Sequence, residues 1–324
     1  MKKHKESSKM SKPKIVFMGT PEFSVPSLEI LIRHDYPIVG VVTQPDRPRG
    51  RGRVPAPPPV KVIAEKYKIL VAQPERLKNQ EFLDYFRNLS PDLVAVAAFG
   101  QLLPGEIIRT PRLGCVNVHP SLLPKYRGAA PVNWTLIRGE VKTGVTIMLM
   151  DEGLDTGDIL TQEETMIEPT ETFGKLNDRL ADMGARLLLA TIDIVVIGNS
   201  TRRPQDASLA TYAPRLTKED GLIRWDADVH QTVNLIKGLS PAPSAYTFFK
   251  GKMLKIFSAL GEEIPSAESP GRIGTVTEKG LPVAARNGYV YLQEVQLENK
   301  KRMSILDFLR GFRMAPGDTL GSVQ

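Results

Sequence analysis

The sequence predicts an α/β fold: a mostly parallel sheet with helices on both faces, followed by a C-terminal β-barrel of the OB-like type. Three observations predict it. Short apolar runs alternate with helix-periodic segments as far as residue 198, the pattern of β-α-β units. The run at 91–99 lacks polar alternation, as a strand covered on both faces does. Beyond residue 221 turn signals recur roughly every eight to twelve residues, as in small all-β modules.

In chain order, PKIVFMGT (13–20) is an apolar strand running into a Gly-Thr-Pro turn. In SVPSLEILIR (24–33), Val25, Leu28, Leu31 and Ile32 recur at helical spacing. PIVGVVT (37–43) is β-branched, so the chain opens β-α-β with a right-handed crossover. VKVIAEKYK (60–68) reads as helix, 69–73 as a short strand, NQEFLDYFRNL (79–89) as an amphipathic helix and PDLVAVAAF (91–99) as a buried strand. PGEIIRT gives a helical turn, GCVNVH (114–119) a strand, and APVNWTLIRG (130–139) a helix ending at Gly139. GVTIMLM (144–150) and ILTQEETMI (159–167) form an antiparallel pair. The longest helical pattern, 170–198, ends at Gly198.

After that the texture changes. Residues 199–221 are polar with two prolines, a linker composition. VHQTVNLIKGL (229–239) is a short helix. Strands then alternate with hairpin-type turns at 249–252, 278–280 and Asn287-Gly288, and 303–312 closes the chain as a helix. The expected organisation is a disordered leader (1–12), a catalytic domain (13–198), a linker (199–221) and a C-terminal domain (222–324).

Composition narrows the function. The chain has 324 residues, 41% hydrophobic and 24% charged, enough for two domains of a globular enzyme. A single cysteine, Cys115, excludes an intrachain disulfide and a cysteine-based zinc site, and its apolar strand points to core packing. The basic opening lacks the apolar core of a signal peptide. The most apolar helical stretch, Leu187–Ile197, is too short to span a membrane and contains Asp193. The chain is therefore expected in the cytoplasm. Its net charge of +7 favours an anionic partner such as nucleic acid.

Three stretches carry chemistry. GCVNVHPSLLPKYRGAAP (114–131) ends a strand on Asn117 and His119, two apart and so on one face, before a loop stiffened by proline. The ligand end of an open parallel sheet is the carboxyl end of its strands. Neither G-x-G-x-x-G nor a P-loop occurs, so a dinucleotide or nucleoside triphosphate has no support here. DEGLDTGD (151–158) reads as a hydrophilic hairpin loop, as a divalent-cation site lacking some of its oxygen ligands, or as the source of a carboxylate for His119. A carboxylate beside an imidazole favours its charged form. Asn, His and Asp together can polarise a carbonyl and move one proton. Finally, Arg47, Arg49, Arg51 and Arg53 alternate with Pro and Gly in a long segment after the second strand. It reads either as solvated surface or as an arm that orders on phosphates.

These stretches resemble the folate-dependent formyltransferase family over nearly the whole chain, from about Lys14 to Gly321. NVHPSLLPKYRGAAP with LDTGD carries the resemblance most specifically. GTPEFSVPSLEIL, AAFGQLLP, TQPDRPRGRGR and YAPRLTKEDGLIRWD add to it, and the arginine loop and the C-terminal module point to the branch that acts on tRNA. The resemblance implies a Rossmann-like catalytic domain and an OB-like domain that helps hold tRNA. It implies formyl transfer from 10-formyltetrahydrofolate, without metal, to the amino group of initiator methionyl-tRNA. By the same resemblance Asn117, His119 and Asp155 form the catalytic trio. Ser121, Leu122, Leu123 and Pro124 hold the folate; Phe99, Gly100, Leu102 and Asp151 line its pterin pocket; Arg47, Arg49, Arg51 and Arg53 meet tRNA. Leu123–Pro124 is expected cis. No membrane is expected as a partner, and the chain is expected to act as a monomer.

Rival readings fit less of the sequence. A glycinamide ribonucleotide formyltransferase would carry a phosphate-binding glycine loop and no second domain. A sugar-nucleotide formyltransferase has no use for the arginine segment. A non-enzymatic RNA-binding protein leaves the trio unexplained.

Overall fold

The computed structural model describes residues 11–49, 54–265 and 267–321. Most of the expected leader, together with Arg51 and Arg53, lies outside the described residues. The described chain packs as two compact units. One comprises residues up to Arg127 with Gly144–Glu163 and Leu180–Ala210; the other comprises Gly128–Thr143 and Glu164–Arg179 with the chain from Thr211 onward.

The first unit is built on the expected α/β alternation. It runs β1 (Ile15–Gly19), α1 (Val25–Arg33), β2 (Ile38–Val42), β3 (Arg47–Arg49), β4 (Val54–Ala56), α2 (Pro59–Lys66), β5 (Val71–Ala72), α3 (Gln80–Leu89), β6 (Leu93–Ala97), α4 (Gly105–Arg109) and β7 (Cys115–His119). β8 (Lys142–Leu149), β9 (Ile159–Met166) and α6 (Phe173–Val196) follow, whereas α5 (Pro131–Ile137), between β7 and β8 in the chain, and the start of α6 belong to the second unit. The sheet order is β5-β2-β1-β6-β7-β8-β9. Pairing is parallel as far as β7 and antiparallel from β7 to β8. Leu149 N–H donates to Asp158 O at one end of β8, and Ile167 N–H to Val141 O at the other, so β9 runs antiparallel to β8.

Burial explains the sequence pattern. Val16, Met18, Val94 and Val96 point to one face, under Phe82, Leu83 and Phe86 of α3 and Ile107 of α4. Their neighbours Ile15, Phe17, Leu93 and Ala95 point the other way and are equally inaccessible. A strand buried on both faces cannot alternate. α6 covers the Val118 face of β7 closely: a Cβ on Gly184 would lie 2.6 Å from a Val118 methyl. Asn117 and His119 therefore occupy the opposite face. The polar residue in the apolar end of α6 has a partner, since the Tyr36 hydroxyl donates to Asp193. Burial, then that bond, pushes the Tyr36 hydroxyl pKa upward. No helix among the described residues is long and apolar enough to cross a membrane.

The second unit carries α7 (Val229–Leu239), β10 (Ala245–Phe249), β11 (Lys252–Glu262), β12 (Leu281–Ala285), β13 (Gly288–Leu297), β14 (Met303–Ser304) and α8 (Ile305–Gly311). Its antiparallel order is β10-β11-β13-β12, with β14 on β13. Register shifts around Ser258 bend β11. The curl closes through single bridges: Val283 to Ile273, Arg272 to Thr319, and Gly321 to Phe248 of β10. Ahead of the turn at 278–280 the chain forms no full strand, only this bridging segment, which begins just after left-handed Gly271. Inside lie Trp225, Phe249, Leu254, Ile256, Val290 and Leu292, with Val229, Ile236 and Leu239 of α7. Side-chain caps start two of the helices: Gln231 N–H donates to Asp228, and Asp307 N–H to Ser304.

Cys115 sits in the first core, its Sγ near Ile107 O at 3.6 Å. Burial pushes its thiol pKa from 9.0 up to about 12. The fold thus favours the neutral thiol; that stabilisation is complete below the unfolded value and is lost as pH climbs toward the folded one. Because only the thiolate is alkylated, the native chain at about pH 8 should resist iodoacetamide and the guanidinium-unfolded chain should react. Intact mass reads the outcome, and equal labelling of both would contradict the burial.

Candidate active site

The site is built where the carboxyl ends of β6 and β7 open, beside the first antiparallel strand. Asn117 pairs across to Val96 and Met148, and His119 to Thr146. The two side chains lie on one face, 9% and 4% exposed. Among the described residues no group hydrogen-bonds the Asn117 carboxamide, so its donors are available to a ligand.

His119 is held at both nitrogens. Nε2 lies 3.0 Å from Tyr126 O. A carbonyl only accepts, so Nε2 carries a proton. Nδ1 lies 3.7 Å from the Asp155 carboxylate, which is largely buried. Both partners come from left-handed backbone, Tyr126 at φ 63° and Asp155 at φ 53°, a region sparsely used by side chains of this size.

The loop that delivers Asp155 is shaped from within. The Asp151 carboxylate accepts from Gly153 N–H at 3.0 Å and from the Thr156 hydroxyl at 2.7 Å. A Cβ on Gly157 would stand 1.8 Å from Leu149 O, so only glycine lets the loop return to β8 this tightly. Of the readings open to DEGLDTGD, the geometry realises the partner of His119. No group of three or more His, Cys, Asp or Glu able to hold a metal occurs among the described residues.

The stretch 121–124 is equally constrained. The Ser121 hydroxyl donates to Lys125 O at 2.7 Å. Thr146 on β8 donates to Ser121 O at 2.7 Å and accepts from Leu123 N–H at 3.2 Å and Gln162 Nε2 at 2.8 Å; Gln162 also donates to Leu123 O at 3.0 Å. Leu123–Pro124 is cis, as expected; Ser240–Pro241 and Ala242–Pro243 are cis as well. Across the opening, the Phe99 side chain packs into the core while Gly100 and Leu102 are exposed, Leu102 at 68%. Phe99 O accepts from Thr20 Oγ1 and Gln44 Nε2.

The arginine segment has more structure than its composition suggests. β3 and β4 pair antiparallel, Arg47 to Ala56 and Arg49 to Val54, and Arg47 is exposed. At the root, Lys61 Nζ and Gln73 Nε2 donate to Asp46 at 2.8 and 2.7 Å. Lys61 first, then Gln73, holds that carboxyl below its ordinary range.

Sequence reasoning did not single out Tyr126, Arg127, Thr146, Gln162 or Gln205. Tyr126 and Arg127 lie inside the quoted loop. Thr146 is a polar interruption of an apolar strand run, a signal that could have been read, whereas Gln162 lies among the polar residues 161–165 and does not stand out. Gln205 sits in the polar stretch expected to be a linker, with no local signal, and packs in the first unit.

The chain that carries this arrangement matches known proteins of the class that transfers formyl groups. The formyl transferase family model matches residues 13–192, and the model of that family's C-terminal domain matches residues 215–313. The chain belongs to the formyl transferase family. Among curated relatives, methionyl-tRNA formyltransferase of Syntrophus aciditrophicus is 59% identical over 312 residues, covering 96% of this chain and all of the relative. The same enzyme of Geotalea daltonii is 49% identical, covering 95% and 98%. Within the family the chain groups with these methionyl-tRNA formyltransferases. Two solved structures share the fold. A sugar 3N-formyl transferase, WlaRD, aligns at TM-score 0.65 and 18% identity, covering 90% of this chain and all of that one. HypX from Aquifex aeolicus in complex with tetrahydrofolic acid aligns at TM-score 0.60 and 17% identity, covering 95% and 51%.

Replacing Thr146 by Val removes a buried hydroxyl that serves three groups. The expected loss is roughly 1–3 kcal/mol of stability, the cost of buried groups left unpaired. It should appear as a lower urea midpoint with unchanged m-value; an unchanged midpoint would mean that the 121–124 loop does not depend on β8.

Proposed function

We propose that the chain transfers the formyl group of 10-formyltetrahydrofolate to the free α-amino group of initiator methionyl-tRNA, giving the N-formylmethionyl-tRNA used in translation initiation. One observation carries the reading. An imidazole engaged at both nitrogens stands beside an unpartnered carboxamide at the ligand end of the sheet, in a chain whose full-length relatives bear that enzyme's name.

The amine lone pair attacks the formyl carbon, and the carbonyl π electrons move onto oxygen. The Asn117 carboxamide donates to that oxyanion, and the His119 ring beside it stabilises it electrostatically while its nitrogens stay with Tyr126 and Asp155. Asp155 holds the imidazole and takes part in moving the proton from the attacking amine to the departing folate nitrogen. Collapse breaks the carbon–nitrogen bond to the folate, and tetrahydrofolate leaves. Ser121, Leu122, Leu123 and Pro124 brace the folate. The chain at Phe99, Gly100 and Leu102 and the turn from Asp151 line the pterin. No step as written uses a metal. Arg47, Arg49, Arg51 and Arg53 meet tRNA phosphates, and the C-terminal domain (222–324) helps hold the tRNA beside the catalytic domain (13–198). The enzyme works as a cytoplasmic monomer in this reading.

Losing one preorganised donor costs about 100- to 1000-fold in kcat. Asn117→Ala and His119→Ala should each fall by that order with tRNA binding nearly unchanged. A His119→Ala enzyme of near-normal kcat would refute the mechanism.

The arginines separate a tRNA substrate from small amines. Phosphate contacts release counterions, each steepening the log–log salt dependence by roughly 0.7–0.9. Replacing Arg51 and Arg53 by Ala should raise KM for methionyl-tRNA, flatten that slope by about one to two units and leave the folate KM alone. If the folded double variant moves neither tRNA parameter, the segment is solvated surface only.

A further inference from the structure

Both partners of His119 lead into one polar network that the mechanism has not used. Ile159 and Arg203 exchange backbone hydrogen bonds of 2.9 and 3.0 Å as an antiparallel bridge. Continuing that register brings residue 205 opposite residue 157. There the Gln205 carboxamide nitrogen donates to Asp155 O at 2.9 Å and to Gly157 O at 2.7 Å. Its oxygen accepts from Arg127 Nε at 3.1 Å and Nη2 at 2.8 Å. Arg127 is only 4% exposed, so its guanidinium fixes which way the amide points: oxygen toward the arginine, both N–H groups toward the loop. Arg127 directly follows Tyr126, whose carbonyl meets His119 Nε2. Gln205 lies between the spans of the two family models, 13–192 and 215–313.

We propose that Gln205, oriented by Arg127, is a positioning residue for the transfer: it ties the loop that presents Asp155 to the segment that presents Tyr126, and so sets both contacts of the His119 ring. Resting on the formyl-transfer reading above, it adds to the trio the part that fixes its geometry. The amide does what neither an acid nor an apolar side chain can. It accepts from a cation on one side and donates to two carbonyls on the other. Without it the two carbonyls lose the Gln205 donors, and the left-handed backbone that places Asp155 loses that support.

The test is Gln205→Glu in the full-length chain, assayed with 10-formyltetrahydrofolate and methionyl-tRNA. Glutamate keeps the pairing with Arg127 but sets a carboxylate oxygen against both loop carbonyls. The kcat should fall about 10- to 100-fold, the usual cost of losing a supporting hydrogen bond behind a catalytic group. KM for methionyl-tRNA should stay within about twofold, and the fall in kcat should persist at temperatures well below the variant's thermal midpoint, where the chain is folded. If Gln205 acts through Asp155, the same change in an Asp155→Asn background should cost less than about twofold more. Losses that multiply in the double variant, or a Gln205→Glu enzyme with wild-type kcat, would overturn the proposal. Should Gln205→Glu not fold, Gln205→Asn takes its place: it keeps the amide but is one methylene short of the loop, and the same outcomes decide. Wild-type chain without formyl transfer would sink the functional reading instead. In that case the ring 15N signals of His119 still report on the clamp. They should move in the variant, and unmoved signals would overturn it.

Discussion

The imidazole of His119 is the group whose placement the rest of the first unit serves. A ring nitrogen 3.0 Å from a backbone carbonyl has to carry the proton, since the carbonyl offers only lone pairs. That assigns Nε2 and turns Nδ1 toward the Asp155 carboxylate. With one nitrogen committed to the main chain, the ring cannot rotate to follow a ligand, so the ligand has to be brought to it. The proposed transfer requires this order of events, because donors that reorganise during the reaction return much of what they stabilise.

Several features that look unrelated follow from this requirement. β7 must end with its polar face open, and α6 takes the Val118 face so closely that position 184 admits only glycine without a shift of neighbouring methyls. β8 turns antiparallel immediately beside β7, which brings Thr146 opposite His119 and lets one hydroxyl hold the 121–124 loop. The Asp151–Asp158 loop folds back on Leu149 O with room for glycine alone at 157. Each constraint costs backbone freedom. Those costs fall on loops rooted in a sheet buried on both faces, the part of the unit best able to bear them.

What was legible in the sequence follows from range. Asn117 and His119 share a face because strands alternate, a purely local fact, and the apolar runs at 13–20 and 91–99 declared a doubly covered sheet by their lack of alternation. The barrel's hairpins were legible at Lys250-Gly251, where both residues are left-handed. Its closure was not: single bridges through Arg272, Ile273 and Gly321 leave no periodic trace. Gln205 was invisible for a related reason. It acts across the sheet edge on residues 155 and 157 and looks, locally, like any polar residue of a linker. The hairpin at 47–56 was hidden because its strands contain prolines, which sequence reasoning demotes, although Pro48 and Pro55 face each other in a two-stranded ribbon with open edges.

The root of that hairpin joins the arginine segment to a rigid end of the sheet. Lys61 and Gln73 hold Asp46, and Gln73 also donates to Gln44 O at 2.8 Å. Gln44 in turn donates to Phe99 O, which Thr20 shares. The exits of β1, β2 and β6 are thus laced together at one end of the sheet, the end where Asn117 and His119 open. The Lys61–Asp46 pair is partly exposed, and an ion pair in that setting adds little stability. Its value is directional. It fixes where the arginine segment leaves the sheet, so the phosphates that segment would meet are referred to the same frame as the reacting carbonyl. In the proposed transfer, a tRNA-binding arm tied to a mobile loop would gain affinity without delivering the amine, whereas an arm rooted beside Phe99 would convert binding into position.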